Sequence, residues 1–425
     1  PIEGANIYWL NSSQGTVTNQ EGEFSIEKTA NNSKLIISYI GFVNDTIQVQ
    51  QQKYFDHYMK VDDNDLDEVT VVKKINPTQR IYSMAQNVVL ISEQELLKAA
   101  CCNLSESFET NPAVDVNHSD ALTGSKKIEM LGLKSPYILI TEENIPMVRG
   151  ASQAFGLSFT PGTWVESIQV TKGMGSVVNG FESIAGQINA ELKKPLNDIP
   201  LFLIGFYGFD GRIEMNAHLN EKVSEKVTTT FFLHHNRRDK KNDKNNDGFL
   251  DKPLQDQNNF LNKWQYTDAV NGIVGFFNIR YLDDEKIIGM NNNESRNVWN
   301  GEISTKRFDS SFKLGYVNPN LPFQSLGVQL AYSSHDQNSL YGFRNYDINQ
   351  NSFFSSVVYN SIITNTQNKI KFGLNYTSDV YDEILNRRDV GRKDTSFGGF
   401  FEYTYDNFNN LNIAAGMRYD THNNM

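Results

Sequence analysis

At 425 residues the chain is long enough for two or three domains. Its 50 acidic against 39 basic side chains give a formal charge of −11, which would repel phosphate backbones, so no nucleic-acid partner is expected. No run approaches the roughly 18 consecutive apolar residues of a membrane helix, which leaves a barrel open because barrel strands are only half apolar.

The chain opens at Pro1-Ile2-Glu3-Gly4 without an initiator Met or an export signal. Both of its ends are expected to be cut points. The two cysteines, Cys101 and Cys102, are neighbours, so there is no disulfide framework to read.

Residues 1–66 hold short β-rich runs split by turn residues, the pattern of a small β-sandwich. Lys34–Ile40 and Thr46–Gln50 are expected strands, and Asn19-Gln-Glu-Gly22 is an expected turn. Residues 80–195 mix helix and strand. Ser92-Glu-Gln-Glu95 has the form of a capping box. Asn103 caps a second short helix in which Leu104 and Phe108 share a face, and Asn111-Pro112 ends it. Strands are expected at Lys127–Met130, Tyr137–Thr141 and Val165–Val170.

From about residue 200 the helical period disappears and polar–apolar alternation takes over. Arg212–Leu219, Lys369–Tyr376, Phe401–Asp406 and Leu411–Asp420 are the clearest of about a dozen such runs on the period-2 criterion. Several are near the length of a strand tilted across a bilayer. A large soluble sandwich would alternate as well. The polar interruptions at 236–258 and 283–297 favour the loops of a barrel. The expected architecture is therefore mainly β: a small sandwich, an α+β domain, and a large antiparallel transmembrane β-barrel.

Three groups of residues carry a family resemblance. Gly4-Ala-Asn-Ile-Tyr8, Thr18-Asn-Gln-Glu-Gly22-Glu-Phe24-Ser-Ile26 and Ser38-Tyr-Ile-Gly41-Phe42 resemble the carboxypeptidase regulatory-like domain, whose name implies no protease activity. Leu104-Ser-Glu-Ser-Phe108 with Asn111-Pro-Ala-Val114-Asp-Val116 resembles the early helix and strand of a TonB-dependent receptor plug. Ile168-Gln-Val-Thr-Lys-Gly173, Gly180–Ala190 and Lys194-Pro195 resemble its closing signature. Two places depart from that plug pattern. Met130-Leu131-Gly132 stands where an Arg-Gly pair is usual, and Glu143-Asn144 stands where Asp-Gly is usual.

The resemblance implies a plug at 80–195, the first part of a 22-strand barrel at 196–425, and an outer-membrane location with the N-terminal domain in the periplasm. It also implies active import of a scarce nutrient, a ferric siderophore or other metal complex first. Oligosaccharide, peptide or cobalamin uptake follows, and a surface binding or signalling role stands as an alternative class. Residues 67–79 would be a linker in which Glu68, Val69, Thr70, Val71 and Val72 look like the TonB box, able to add a strand to a partner's sheet edge. The same residues also read as a last sandwich strand or an ordinary linker. The further expected partners are outer-membrane lipid and a small nutrient or metal-complex ligand.

Enzyme chemistry has little to stand on. Gly173-Met174-Gly175 begins like a dinucleotide loop, but Val178 stands at the third glycine position. The seven histidines form no HExxH spacing. No organic cofactor is expected.

Two metal readings remain. Cys101 and Cys102 suit a soft metal, with His118, Met130 and Met147 as further donors from the same domain; a vicinal disulfide or inert buried thiols are the alternatives. Asp243, Asn245, Asp247, the Phe249 carbonyl and Asp251 repeat the first part of an EF-hand-type loop. Gly248 sits at its sharp turn, and Leu254 replaces the twelfth-position Glu. A structural calcium ion is expected there, after the third barrel strand.

Overall fold

A computed structural model describes residues 1–10, 14–27, 34–39, 42–49, 54–60, 78–81, 87–93, 103–108, 114–120, 122–173, 175–196, 198–291, 299–409 and 411–424. The N-terminal unit is built on an antiparallel sheet of β1 (Asn6–Trp9), β2 (Gly15–Val17), β3 (Lys34–Ser38) and β4 (Asp45–Gln48), in the order β2-β1-β3-β4. Alternation puts Ile7, Trp9, Leu35 and Ile37 on one face. Phe24, Ile26, Phe55 and Met59 cover that face from extended segments outside the ladder. Among the described residues, only this one layer of the expected sandwich is a hydrogen-bonded sheet. The turn at Asn19 forms as expected: Gly22 N–H donates to the Asn19 carbonyl, and the Asn19 side chain accepts from Glu21 and Glu23.

The plug is two sheets around one apolar core. Its strands are β5 (Thr78–Ile81), β6 (Asn87–Ser92), β7 (Asp115–His118), β8 (Lys126–Met130), β9 (Leu133–Lys134), β10 (Ile138–Glu142), β11 (Ile145–Pro146), β12 (Val165–Lys172) and β13 (Gly186–Leu192). Six of them run β11-β10-β13-β12-β6-β5, and the other three form β7-β8-β9. Helix α1 (Leu104–Ser107) starts where Asn103 Oδ1 accepts the Ser105 and Glu106 amides, and it buries Leu104 and Phe108. Ile140, Ile168, Val170 and Ile188 sit at the centre of the core. Gly186 makes the β12–β13 contact possible, because a Cβ there would stand 2.6 Å from the Thr171 carbonyl oxygen and 2.7 Å from Met130 Cε.

The C-terminal half is one antiparallel sheet of twelve strands. They are β14 (Leu201–Tyr207), β15 (Arg212–Ser224), β16 (Val227–Arg238), β17 (Leu254–Asp268), β18 (Ile273–Gly289), β19 (Asn300–Val317), β20 (Ser325–Tyr341), β21 (Arg344–Ile363), β22 (Asn365–Leu385), the two-residue β23 (Arg388–Asp389), β24 (Arg392–Asp406) and β25 (Asn412–His422). The sheet wraps the plug. Its concave face adds Phe232, Leu261, Leu282, Ile288 and Ile303 to the plug core.

The convex face is an apolar belt, with Leu219 opposite Phe231, Leu233 opposite Phe260, and Phe277 opposite Phe312. On β18–β21 the belt ends at an aromatic row: Tyr281 pairs with Phe308, and Tyr332 with Phe353. Beyond this row the outward positions turn polar, at Asp283, Lys306, Asp336 and Asn349. The two longest connections, 239–253 and 290–299, lie at that polar end. Barrels carry their longer loops on the outer side, so this is the outer end.

Both expected interruptions are shorter than the sequence suggests. The first loop spans 239–253 rather than 236–258, and 283–289 belongs to β18. In that stretch both faces are polar: Asp284 and Lys286 point inward while Asp283 and Glu285 point outward. Alternation is erased while the ladder continues through Gly289.

Candidate functional site

The plug reaches the wall through the β10–β11 hairpin. Its two-residue turn needs two left-handed positions, and without glycine Glu143 (φ +53°) and Asn144 (φ +63°) take them. Asn189 pins the turn, accepting from the Asn144 amide at 2.8 Å and from Thr141 Oγ1 at 2.9 Å. Glu143 is thereby driven into the wall, where it pairs with Lys263 and, at 3.0 Å, with Lys313. Burial alone would raise its carboxyl, but the two ammonium groups outweigh it and hold the group down to about 2. Next to it Glu142 accepts from Thr160 Oγ1 at 2.7 Å and pairs with Arg280 at 3.3 Å. Arg280 also donates to the Phe159 carbonyl and lies over the Trp164 ring.

The other side of the plug presents the opposite charge. Arg149 pairs with Asp379 on β22 at 2.7 Å and with Glu182 at 3.2 Å. Gly150 lets this loop press on the wall, since a Cβ there would meet Gln350 Oε1 at 2.5 Å and the Tyr381 hydroxyl at 2.6 Å. Ala151 N–H donates to Gln350 Oε1 at 2.7 Å. Arg418 on β25 donates to the carbonyls of Val177 and Val178, and Ser176 Oγ donates to Glu402. The segment 142–149 is thus a crossbar held at both walls.

At the outer end lies a cavity of about 910 Å³ between the plug apices and the first loops. Lys126, His118, Phe209, Arg212, Arg238 and Lys252 are among its lining. Its size is within the range of small-molecule sites.

The expected site residues fall unevenly on this frame. Glu68, Val69, Thr70, Val71, Val72, Cys101 and Cys102 lie outside the described residues, as does the capping box beyond Glu93. His118 is exposed at one end of the β7–β8 ladder, while Met130 is buried at the other, about 13 Å along the strand. Met147 is buried and accepts from Thr160 Oγ1 through its sulfur, and both methionines belong to the plug core. The structure does not bring these three donors together. Asp243, Asn245, Asp247 and Asp251 do share one exposed outer loop after the third wall strand. There Asp243 accepts from the Asp247 and Gly248 amides, Asp247 from the Phe249 amide and Asp251 from the Lys244 amide. Phe249 bridges to Met290. Among the described residues, no group of three or more His, Cys, Asp or Glu side chains is placed to hold a metal ion. Lys263, Arg280, Lys313 and Asp379 were not singled out from the sequence. Only their lumen-facing parity hints at them, because their partners lie more than a hundred residues away in the chain.

The CarboxypepD_reg-like domain family matches residues 1–71, and the TonB-dependent Receptor Plug Domain family matches residues 80–187. The chain therefore carries a CarboxypepD_reg-like domain followed by a TonB-dependent receptor plug domain. Its plug and antiparallel wall place it in the outer membrane. TonB-dependent receptor P39 of Formosa agariphila is 32% identical over 72 residues, 17% of this chain and 7% of that one. The vitamin B12 transporter BtuB of Vibrio vulnificus is 28% identical over 135 residues, 31% of this chain and 21% of that one. The receptor shares the fold of FpvA from P. aeruginosa, solved with pyoverdine and iron, with a TM-score of 0.67 at 12% identity, over 81% of this chain and 52% of that one. The receptor chain thus spans about half the length of that structure and a smaller share of the two relatives. Relatives of this kind are transporters and receptors, not enzymes.

Proposed function

We propose that the receptor imports a scarce small nutrient across the outer membrane, a ferric siderophore or another metal complex, driven by TonB. The observation that carries this reading is the plug itself, folded around its own core yet gripped by the wall through ion pairs and hydrogen bonds. A pore closed by a folded domain requires a force that moves the domain, and this family draws that force from TonB. The outer cavity would take the cargo first. Strand addition at Glu68–Val72 would then pull on the plug from the periplasm.

The iron-bound pyoverdine in the FpvA structure supports a metal complex as cargo. The BtuB relative favours cobalamin as the second reading. Oligosaccharide or peptide uptake and a surface signalling role have no comparable support. Growth of a deletion strain across single-metal and single-nutrient limitations, with and without TonB, identifies the cargo. Growth unaffected in every limitation removes the importer reading. Val69→Pro should abolish uptake while leaving the receptor in the outer membrane, because proline removes a ladder donor. Persisting transport in that variant would mean that the segment is not the TonB box.

Two metal sites belong to the same reading as proposals: calcium in the 243–251 loop, and a soft metal at Cys101 and Cys102. The cysteine site is tested by Cys101→Ser with Cys102→Ser. Unchanged copper and zinc accumulation would remove it.

A further inference from the structure

Three adjacent wall strands, β17–β19, turn an excess of positive charge toward the plug. Lys263, Arg280, Lys286, Arg307 and Lys313 face inward against Asp284 and Asp309, so five cations meet two anions and three are left over. Lys286 pairs with Asp284 and Arg307 with Asp309, each two residues away on its own strand. Those two are neutralised within the wall.

The other three draw their counter-charge from the plug. Lys263 and Lys313 meet Glu143, and Arg280 meets Glu142. The Lys263 side chain is 0% exposed and that of Arg280 5%, so neither charge is answered by bulk water. Among the described residues none of the three forms an ion pair with the wall, since Asp309, in register with Arg280, is taken up by Arg307. Across the lumen the arrangement is reversed and weaker: Asp379 is answered by Arg149, which the plug's own Glu182 shares, while Glu402 accepts from Ser176 and pairs with Lys371 of the wall. One plug segment, 142–149, supplies both sets of counter-charges, so one displacement uncovers both walls.

A buried charge that loses its partner is strongly destabilised unless another ion or water replaces that partner. Two cavities already flank the hairpin, of about 80 and 420 Å³. Arg149, Pro146 and Phe354 line both, and Lys313 borders the larger. Space beside the basic wall therefore exists before the plug moves. Lumens lined by Lys and Arg favour anions.

We propose that the β17–β19 face is the transit wall for a small anionic cargo, such as a metal chelate with carboxylate or phenolate donors. Glu142 and Glu143 hold, in the closed receptor, the places that the cargo's anionic groups take during passage. This rests on the importer reading and names its cargo class.

The test uses the full-length receptor in planar bilayers under a KCl gradient, with the plug loosened by urea. The reversal potential should show chloride permeating several-fold above potassium. That preference should fall toward none in Lys263→Met/Arg280→Met/Lys313→Met. A potassium preference, a chloride preference that survives the triple substitution, or a wall that stays closed under urea would overturn the proposal. A second measurement needs no opening. The Glu142→Gln/Glu143→Gln receptor, which keeps the side-chain shapes, should gain a plug unfolding temperature that rises with inorganic phosphate, a response the parent receptor lacks. An equal response in both would overturn it. Neither measurement involves TonB, so failure here leaves the importer reading standing, and failure of TonB-dependent growth leaves these results unchanged.

Discussion

The inside of the plug and its outer surface are held by different forces. Within it, Ile140, Ile168, Val170 and Ile188 are closed off from solvent and bind by apolar burial. Where it meets the wall, Phe232, Leu261, Leu282, Ile288 and Ile303 add to the core, but charges and hydrogen bonds define the grip. Water can substitute for an ion pair far more readily than for a hydrophobic contact. A domain built this way can let go of its surroundings while staying folded, which is what a movable stopper requires.

That contrast can be broken at either side. Glu143→Ala strands Lys263 and should weaken docking by about 3–5 kcal/mol, the usual cost of breaking a buried pair. The plug core should survive, so a leak to large antibiotics should appear while near-UV circular dichroism stays unchanged. Ile188→Ala should do the reverse, loosening the core by about 2–5 kcal/mol, with urea unfolding of the plug shifted well before any leak. If both variants leak and unfold together, the two layers are not separable.

Acid offers a gentler probe. The Glu143 carboxyl is held at about 2 against an ordinary 4.5, a depressed value, so its stabilisation is complete above 4.5 and is lost as pH falls toward 2. By linkage this amounts to roughly 3 kcal/mol. Plug release followed from pH 6 to pH 2 should lose that dependence in Glu143→Gln. Ser176→Ala removes one hydrogen bond to Glu402 and should cost about 1 kcal/mol, visible as a small rise in leak on the β24 side. The smallest effect belongs to the outer loop. Calcium should slow proteolysis at 243–251, and Asp247→Ala should erase that protection without touching plug or wall. Equal cleavage with calcium and with chelator, in both proteins, would leave only a solvated turn.

Much of this frame is legible in the chain. The strands at Lys126–Met130, Ile138–Glu142 and Val165–Lys172, the Asn103 cap and the alternating wall all follow from local pattern. The wall strands run longer than their pattern, however. Lys369–Tyr376 alternates clearly, yet β22 extends from Asn365 to Leu385. Alternation requires lipid on one side, and above the aromatic row both sides meet polar surroundings. The crossbar was illegible for another reason: Glu143 and its partner Lys313 are joined only by the fold. The tight turn that aims Glu143 carries Glu-Asn where a glycine would have announced it.

The polar upper reach of β18–β21 sets the height of the mouth. From Phe353 to Arg344 is nine residues, about 30 Å of strand and about 20 Å along the membrane normal at a 45° tilt. The rim therefore stands clear of the hydrocarbon, on a stiff collar of hydrogen-bonded ladder rather than on loops. A molecule entering the outer cavity would be met in solvent instead of at the lipid boundary. Antibodies, phages or toxins approaching the cell would meet this collar before they met the bilayer.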